Sequence, residues 1–223
     1  MKYKTCVSIA EKTPQKLKQV LKIALKKSDY VEVRFDFLKI EEIPNALEVI
    51  KKDLNKIVCT LRPKTEGGKF LGNEKERIAI IKLIAEYNPF LLDIEFNTLK
   101  KNSSLVKYLK STKTNLLVSW HDFKKTPNST ELKKKINQMS KFSSNVKIVS
   151  TAKSTDDSTR MLELYSKKGK NNLISFAMGD FGRISRILCL YLGSPYTYVS
   201  LGKAIAPGQF SVDEVNKITN LKK

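Results

Sequence analysis

The sequence is short of the residues on which several kinds of chemistry depend. It has three cysteines in 223 residues, Cys6, Cys59 and Cys189. The count is odd, the spacing is wide and no CxxC occurs, which argues against a disulfide framework or a cysteine zinc site. Cys6 and Cys59 stand in apolar runs and read as small buried hydrophobes. His121 is the only histidine. No apolar run approaches the ~20 residues that a membrane helix requires. The opening MKYKTCVSIAEKTP lacks the apolar stretch of a signal peptide. The chain is therefore expected to be soluble, cytoplasmic and without a membrane partner.

Arginine is also scarce. The formal net charge of +20 invites a nucleic-acid reading. Yet arginine supplies only six of the 42 basic residues, so the other 36 are lysine. Arginine is the preferred residue for bidentate phosphate and base recognition, whereas scattered lysine marks a solvated surface. No RNA-binding signature is present. A nucleic-acid-binding protein is thus the weaker alternative.

What is present suits a folded chain. Hydrophobic residues make up 41%, with 10 Phe and 8 Tyr, which excludes a disordered polybasic chain. Neither a linker nor a low-complexity tract interrupts the sequence, and residues 1–223 are expected to form one domain. Short apolar or β-branched runs recur at 5–9, 30–34, 56–61, 90–95, 115–120, 146–151, 173–177 and 196–201. Their midpoints lie roughly 27 residues apart, about one strand-plus-helix unit.

Helical patterns fill the gaps. Leu17, Val20, Leu21, Ala24 and Leu25 share one face, behind Thr13 as cap and Pro14 in the first turn. Arg77, Ile80, Ile81 and Ile84 make a second stripe, and Ile184, Ile187, Leu188 and Tyr191 a third. Ser211 to Glu214 reads as a capping box, with Phe210 and Val215 as a staple. Eight strands alternating with eight helices fit a (β/α)8 barrel or a doubly wound sheet. The first strand-to-helix turn, Ser8 to Thr13, lacks GxGxxG and GxxxxGK[ST]. With eight even units, this favours a TIM barrel.

Barrels carry their chemistry at the C-terminal ends of the strands. Alternation then decides direction. In VEVRF, Val31 and Val33 belong on the outer, helix-covered face, which turns Glu32 and Arg34 inward. The same parity turns Asp93 and Glu95 inward, and Lys147, flanked by Val146 and Ile148. Inward charges are costly unless paired or used. Glu32 with Arg34 could be a structural ion pair, and Glu66-Gly67-Gly68 a flexible loop. Burial and nearby cations favour the neutral form of a lysine, so an inward lysine with cationic neighbours supplies a free amine. Such an amine forms an iminium with a ketone. A lone strand-end histidine then serves as general acid and base, steadied by an acidic partner such as Glu66. An arginine fork grips a carboxylate. This chemistry requires neither metal nor organic cofactor.

Together these segments resemble the type I 3-dehydroquinate dehydratases. The motifs are Glu32-Val-Arg34-Phe-Asp36, Thr60-Leu-Arg62-Pro-Lys-Thr-Glu66-Gly67-Gly68, Asp93-Ile-Glu95, Ser119-Trp-His121-Asp122-Phe123, Val146-Lys147, Met178-Gly179 with Ser185-Arg186, and Ala206-Pro207-Gly208-Gln209. The resemblance implies elimination of water from 3-dehydroquinate, in the shikimate pathway, with Lys147 as the Schiff-base lysine. It implies His121 as acid and base, paired with Glu66. Arg186 and Gln209 would hold the substrate carboxylate and a neighbouring hydroxyl. Glu32, Arg34 and Arg62 would bind ring hydroxyls, and Ser8 takes the polar position on the first strand. A homodimer is implied as well. The segment after the last strand would close over substrate. One departure is visible there: Ile205 stands where the family has Ser or Thr, so one lid hydrogen bond is missing. Tyr198, where an aromatic is common, reads as packing. The alternative within the same chemistry is a class I aldolase barrel.

Overall fold

A computed structural model describes residues 3–202 and 204–219. Eight strands run in chain order: β1 (Thr5–Ile9), β2 (Tyr30–Arg34), β3 (Ile57–Thr60), β4 (Leu91–Glu95), β5 (Leu116–Asp122), β6 (Asn145–Thr151), β7 (Asn172–Met178) and β8 (Thr197–Ser200). Every ladder is parallel, and the order is β7-β6-β5-β4-β3-β2-β1-β8. A doubly wound sheet reverses direction from a central strand. Here the order is sequential and β8 returns beside β1, which is the path of a barrel. Among the described residues no ladder joins β7 to β8. Their contact is by side chains, the rings of Phe176 and Tyr198 meeting edge-on at 6.4 Å. The barrel is thus nearly closed.

The α-helices are α1 (Pro14–Lys27), α2 (Ile43–Ile50), α3 (Glu74–Glu86), α4 (Phe96–Lys101), α5 (Ser103–Thr112), α6 (Ser129–Met139), α7 (Thr155–Glu163), α8 (Ser185–Tyr191) and α9 (Val212–Thr219). Thr13 caps α1 by accepting from the Lys16 amide, and Ser211 and Glu214 cap α9 reciprocally. One expectation needs correction. The β4–β5 connection holds two helices, because Asn102 leaves the helical region (φ −128°, ψ 79°) and its side chain donates to the Thr98 carbonyl.

Parity places the core as the alternation predicts. Val31, Val33, Ile57, Cys59, Leu92, Ile94, Val146 and Ile148 point outward and pack with helix residues such as Leu17, Leu21, Ile81 and Ile84. Burying each such side chain contributes about 1.5–3 kcal/mol. Inside the barrel the composition changes along the axis. The lower levels hold Cys6, Val58, Leu91, Leu117, Ile174 and Tyr196. The C-terminal levels hold Ser8, Glu32, Thr60, Asp93, Glu95, Ser119 and Lys147, all buried. An apolar plug therefore supports a charged chamber.

Candidate active site

Lys147 enters this chamber from the middle of β6, at the level of Ser119 on β5 and Ile174 on β7. It is buried, with Nζ 3.3 Å from Asp93 Oδ2 and 3.8 Å from Glu32 Oε1. The same nitrogen lies 4.0 Å from the centre of the Tyr198 ring. The cationic neighbours expected from sequence are replaced at contact distance by carboxylates and an aromatic face. Tyr198 is accordingly more than packing: its ring floors the lysine.

His121 projects from the end of β5, two residue pairs above Lys147 in the β5–β6 ladder. Its Nδ1 lies 3.1 Å from Glu66 Oε2. Glu66 arrives on the loop after β3, where its other oxygen accepts from Asn97 at 3.4 Å. Glycine is required in that loop. Gly67 has φ +76°, and a Cβ on Gly68 would stand 1.9 Å from the Arg62 carbonyl oxygen. Phe123 presses on Gly67 and lies nearly parallel to the His121 ring, 6.2 Å away. Burial pushes Glu66 up to about 7. Burial, then the charges of Arg62 and Lys147, hold the His121 imidazole well below its usual range. The histidine is therefore neutral at neutral pH and free to accept a proton.

The polar wall opposite is tied into fixed geometry. Ser8 donates to Glu32 Oε2 at 2.7 Å, and Thr60 donates to Glu32 Oε1 at 2.9 Å. Arg34 forks onto Asp36 at 2.8 and 2.7 Å, so its partner is Asp36 rather than Glu32. Arg62 donates to Asp93, Glu95 and Ser119, each at 2.7 Å. Burial raises Asp93, but Arg62 and Lys147 outweigh it and keep the carboxyl below the ordinary carboxylate range.

Arg186, on α8, differs from the other buried arginines. It is 2% exposed, yet no carboxylate faces it among the described residues. Its guanidinium lies 4.4 Å from the Phe176 ring, and Nη2 donates to the Pro207 carbonyl at 3.0 Å. Its Nε is buried with no partner. Burial lowers even this arginine, to about 10. A buried cation with a spare donor suits a carboxylate ligand. Beside it, the Gln209 side chain ties its own loop, accepting from the amides of Ile205 at 3.1 Å and Ala206 at 3.4 Å.

These groups line one cavity of about 150 Å³. Lys147, His121, Glu66, Ser8, Glu32, Arg34, Arg62, Arg186 and Gln209 all reach it, and Ile205 faces it from the loop after β8. Residues 5–223 match the family model "Type I 3-dehydroquinase". The chain belongs to this family. It is 34% identical over 225 residues to a 3-dehydroquinate dehydratase of Methanocaldococcus jannaschii, covering 97% of both chains. With the namesake enzyme of Dehalococcoides mccartyi it shares 35% over 201 residues, 87% of this chain and 88% of the other. Its fold superposes on the 3-dehydroquinate dehydratase of Aquifex aeolicus with a TM-score of 0.80, 27% identity, and coverage of 98% and 99%. The type I enzyme from Clostridium difficile, carrying a covalently modified comenic acid, gives 0.86 at 26% identity, with coverage of 98% and 92%. Family membership leaves the aldolase and nucleic-acid readings without support.

For a type I 3-dehydroquinase, three residues of this network carry no role in the motifs. Parity turns Asp93 inward without naming a partner, and it contacts both Arg62 and Lys147. In sequence Tyr198 reads as packing, although its ring lies against Lys147. In sequence Arg77 reads as part of a helical stripe, although its guanidinium meets Glu95 at 2.8 Å. The inward parity of DIE could have flagged Asp93. Nothing local in sequence pairs Tyr198 with Lys147, because that contact exists only once the barrel curls round.

Proposed function

We propose that this chain is a 3-dehydroquinate dehydratase that works through an imine on Lys147. The observation that carries the reading is the buried amine of Lys147, facing the same cavity as His121 and its partner Glu66. The Lys147 amine adds to the substrate ketone, and loss of water gives a protonated iminium. The iminium withdraws electrons and acidifies the adjacent carbon. His121 takes that proton, leaving an enamine. The enamine expels the β-hydroxyl, which leaves as water with the proton His121 returns. Water then hydrolyses the product iminium and frees Lys147.

The remaining residues serve binding. Arg186 holds the substrate carboxylate, with Gln209 shaping the loop beside it. Glu32, Arg34, Arg62 and Ser8 meet the ring hydroxyls. Asp93 holds Lys147 Nζ in place. Borohydride with 3-dehydroquinate tests this directly: mass spectrometry should find the reduced adduct on Lys147. An adduct on another lysine, or none, removes the mechanism. His121→Ala should still be trapped while kcat falls about 10²–10⁴-fold. Wild-type turnover in that variant would remove His121 from its role.

A second copy of the chain is the proposed partner. Phe181, Ile184, Leu188 and Leu192 expose 54%, 53%, 40% and 45% of their surface along α8 and its flanks. No lysine occurs from residue 171 to 202, in a chain of net charge +20. Like-charged copies meet most readily through such a face. The proposed location is the cytoplasm; among the described residues no helix is long and apolar enough to cross a membrane.

A further inference from the structure

One buried charge has no part in these steps. Arg77 lies in the first turns of α3, outside the barrel wall, and is 1% exposed. Its donors are fully engaged. Nε donates to Glu74 Oε2 at 2.8 Å, and Nη2 to Glu74 Oε1 at 2.9 Å and to Thr98 Oγ1. Nη1 donates to Glu95 Oε2 at 2.8 Å and to the Leu61 carbonyl at 3.2 Å. Those contacts use all five N–H groups of a guanidinium, so the group is locked. The other oxygen of Glu95 accepts from Arg62 Nη1 at 2.7 Å. Arg62 Nη2 donates to Asp93 Oδ2 at 2.7 Å, and that oxygen lies 3.3 Å from Lys147 Nζ. Charges therefore alternate from Glu74, whose side chain is 53% exposed, through Arg77, Glu95, Arg62 and Asp93 to Lys147.

We infer that Arg77 is a positioning residue for the reaction, fixing Arg62 and Asp93 in the chamber by holding Glu95 from outside. The inference rests on the Lys147 reading above. Its physical basis is the sharing of one carboxylate. With Arg77 on Oε2, Glu95 offers Arg62 a single oxygen, and Arg62 keeps its second nitrogen for Asp93. Without Arg77, both oxygens of Glu95 are open, and a bidentate fork draws Arg62 away from Asp93. The substrate then loses an ordered arginine, and Lys147 loses an ordered anchor.

The test uses Arg77→Lys and Glu74→Ala, with kcat and KM for 3-dehydroquinate measured per folded protein. Lysine keeps the charge but not the fork, and KM should rise about tenfold while kcat falls several-fold. Glu74→Ala, at an exposed position, frees the outer side of the fork and should raise KM about two- to threefold. A role limited to neutralising Glu95 would lower Tm and leave KM unmoved. Unchanged KM in Glu74→Ala, and in Arg77→Lys where it folds, overturns the inference. A missing borohydride adduct on wild-type Lys147 counts against the imine alone, because KM and kcat still read Arg77.

Discussion

Lys147 Nζ lies 3.3 Å from Asp93 Oδ2, and that same oxygen accepts from Arg62 Nη2 at 2.7 Å. One carboxylate oxygen thus joins the proposed nucleophile to a proposed substrate-binding arginine. Ser119 donates to the other oxygen at 2.6 Å, so Asp93 has no freedom to turn. Substituting Asp93 by Asn keeps the shape and removes the charge. Arg62 and Lys147 would then be short of a counter-charge in a buried site. The expected loss of stability is about 3–5 kcal/mol, read by denaturant unfolding. A loss under about 1 kcal/mol would mean that the network contributes no more than a surface pair.

Glu66 and His121 form the second relationship, and it predicts a pH limb. With Glu66 ionised, Nδ1–H donates to it and Nε2 keeps a lone pair for the substrate proton. Protonated Glu66 donates to Nδ1 instead, which puts the ring proton on Nε2. Because burial pushes Glu66 up to about 7, kcat/KM should fall as pH drops through that value. Stability follows the opposite course. The folded carboxyl binds its proton more tightly than the unfolded one, whose pKa is about 4.3. Its contribution is fully present below about 4.3 and is lost as pH rises through 7. In Glu66→Gln the low-pH limb should vanish, and stability should gain more at pH 8 than at pH 4. Persistence of the limb in that variant assigns it to another group.

Much of this site was legible because two rules act on short stretches. Strand alternation turns Glu32, Arg34, Asp93, Glu95 and Lys147 inward, and strand polarity puts His121 and Glu66 at the C-terminal end of the barrel. What stayed hidden depends on curvature and reach. Tyr198 meets Lys147 only across the β6–β8 side of the chamber. The side chain of Arg77 passes from a helix to the wall to find Glu95, and a helical stripe cannot show that. The expected cations beside Lys147 failed for a related reason. Arg62 spends its donors on Asp93, Glu95 and Ser119, so the lysine meets the carboxylate and not the arginine.

The exposed side of α8 gives a prediction for assembly. Ile184 is 53% exposed, three residues after Phe181 and four before Leu188, which are 54% and 40% exposed. If two copies meet there, Ile184→Lys buries a charge against its symmetry mate. The wild-type protein should sediment as a dimer at micromolar concentration and the variant as a monomer. A monomeric wild type, or a dimeric variant, places the contact elsewhere or removes it.

Ile205 tests how the loop after β8 works. Its amide donates to Gln209 Oε1 at 3.1 Å while its side chain faces the cavity. The backbone role is open to any residue, so Ile205→Ser should preserve the loop. Serine adds a hydroxyl within the cavity proposed to take the substrate. A net hydrogen bond is worth about 0.5–1.5 kcal/mol, which corresponds to a rise in kcat/KM of about two- to twelvefold. The expected change is in KM if the bond is equal in ground and transition states, and in kcat if it forms only as the hydroxyl departs. A variant no better than wild type would show that Ile205 closes the cavity by exclusion of water, with its apolar surface in place of the missing hydrogen bond.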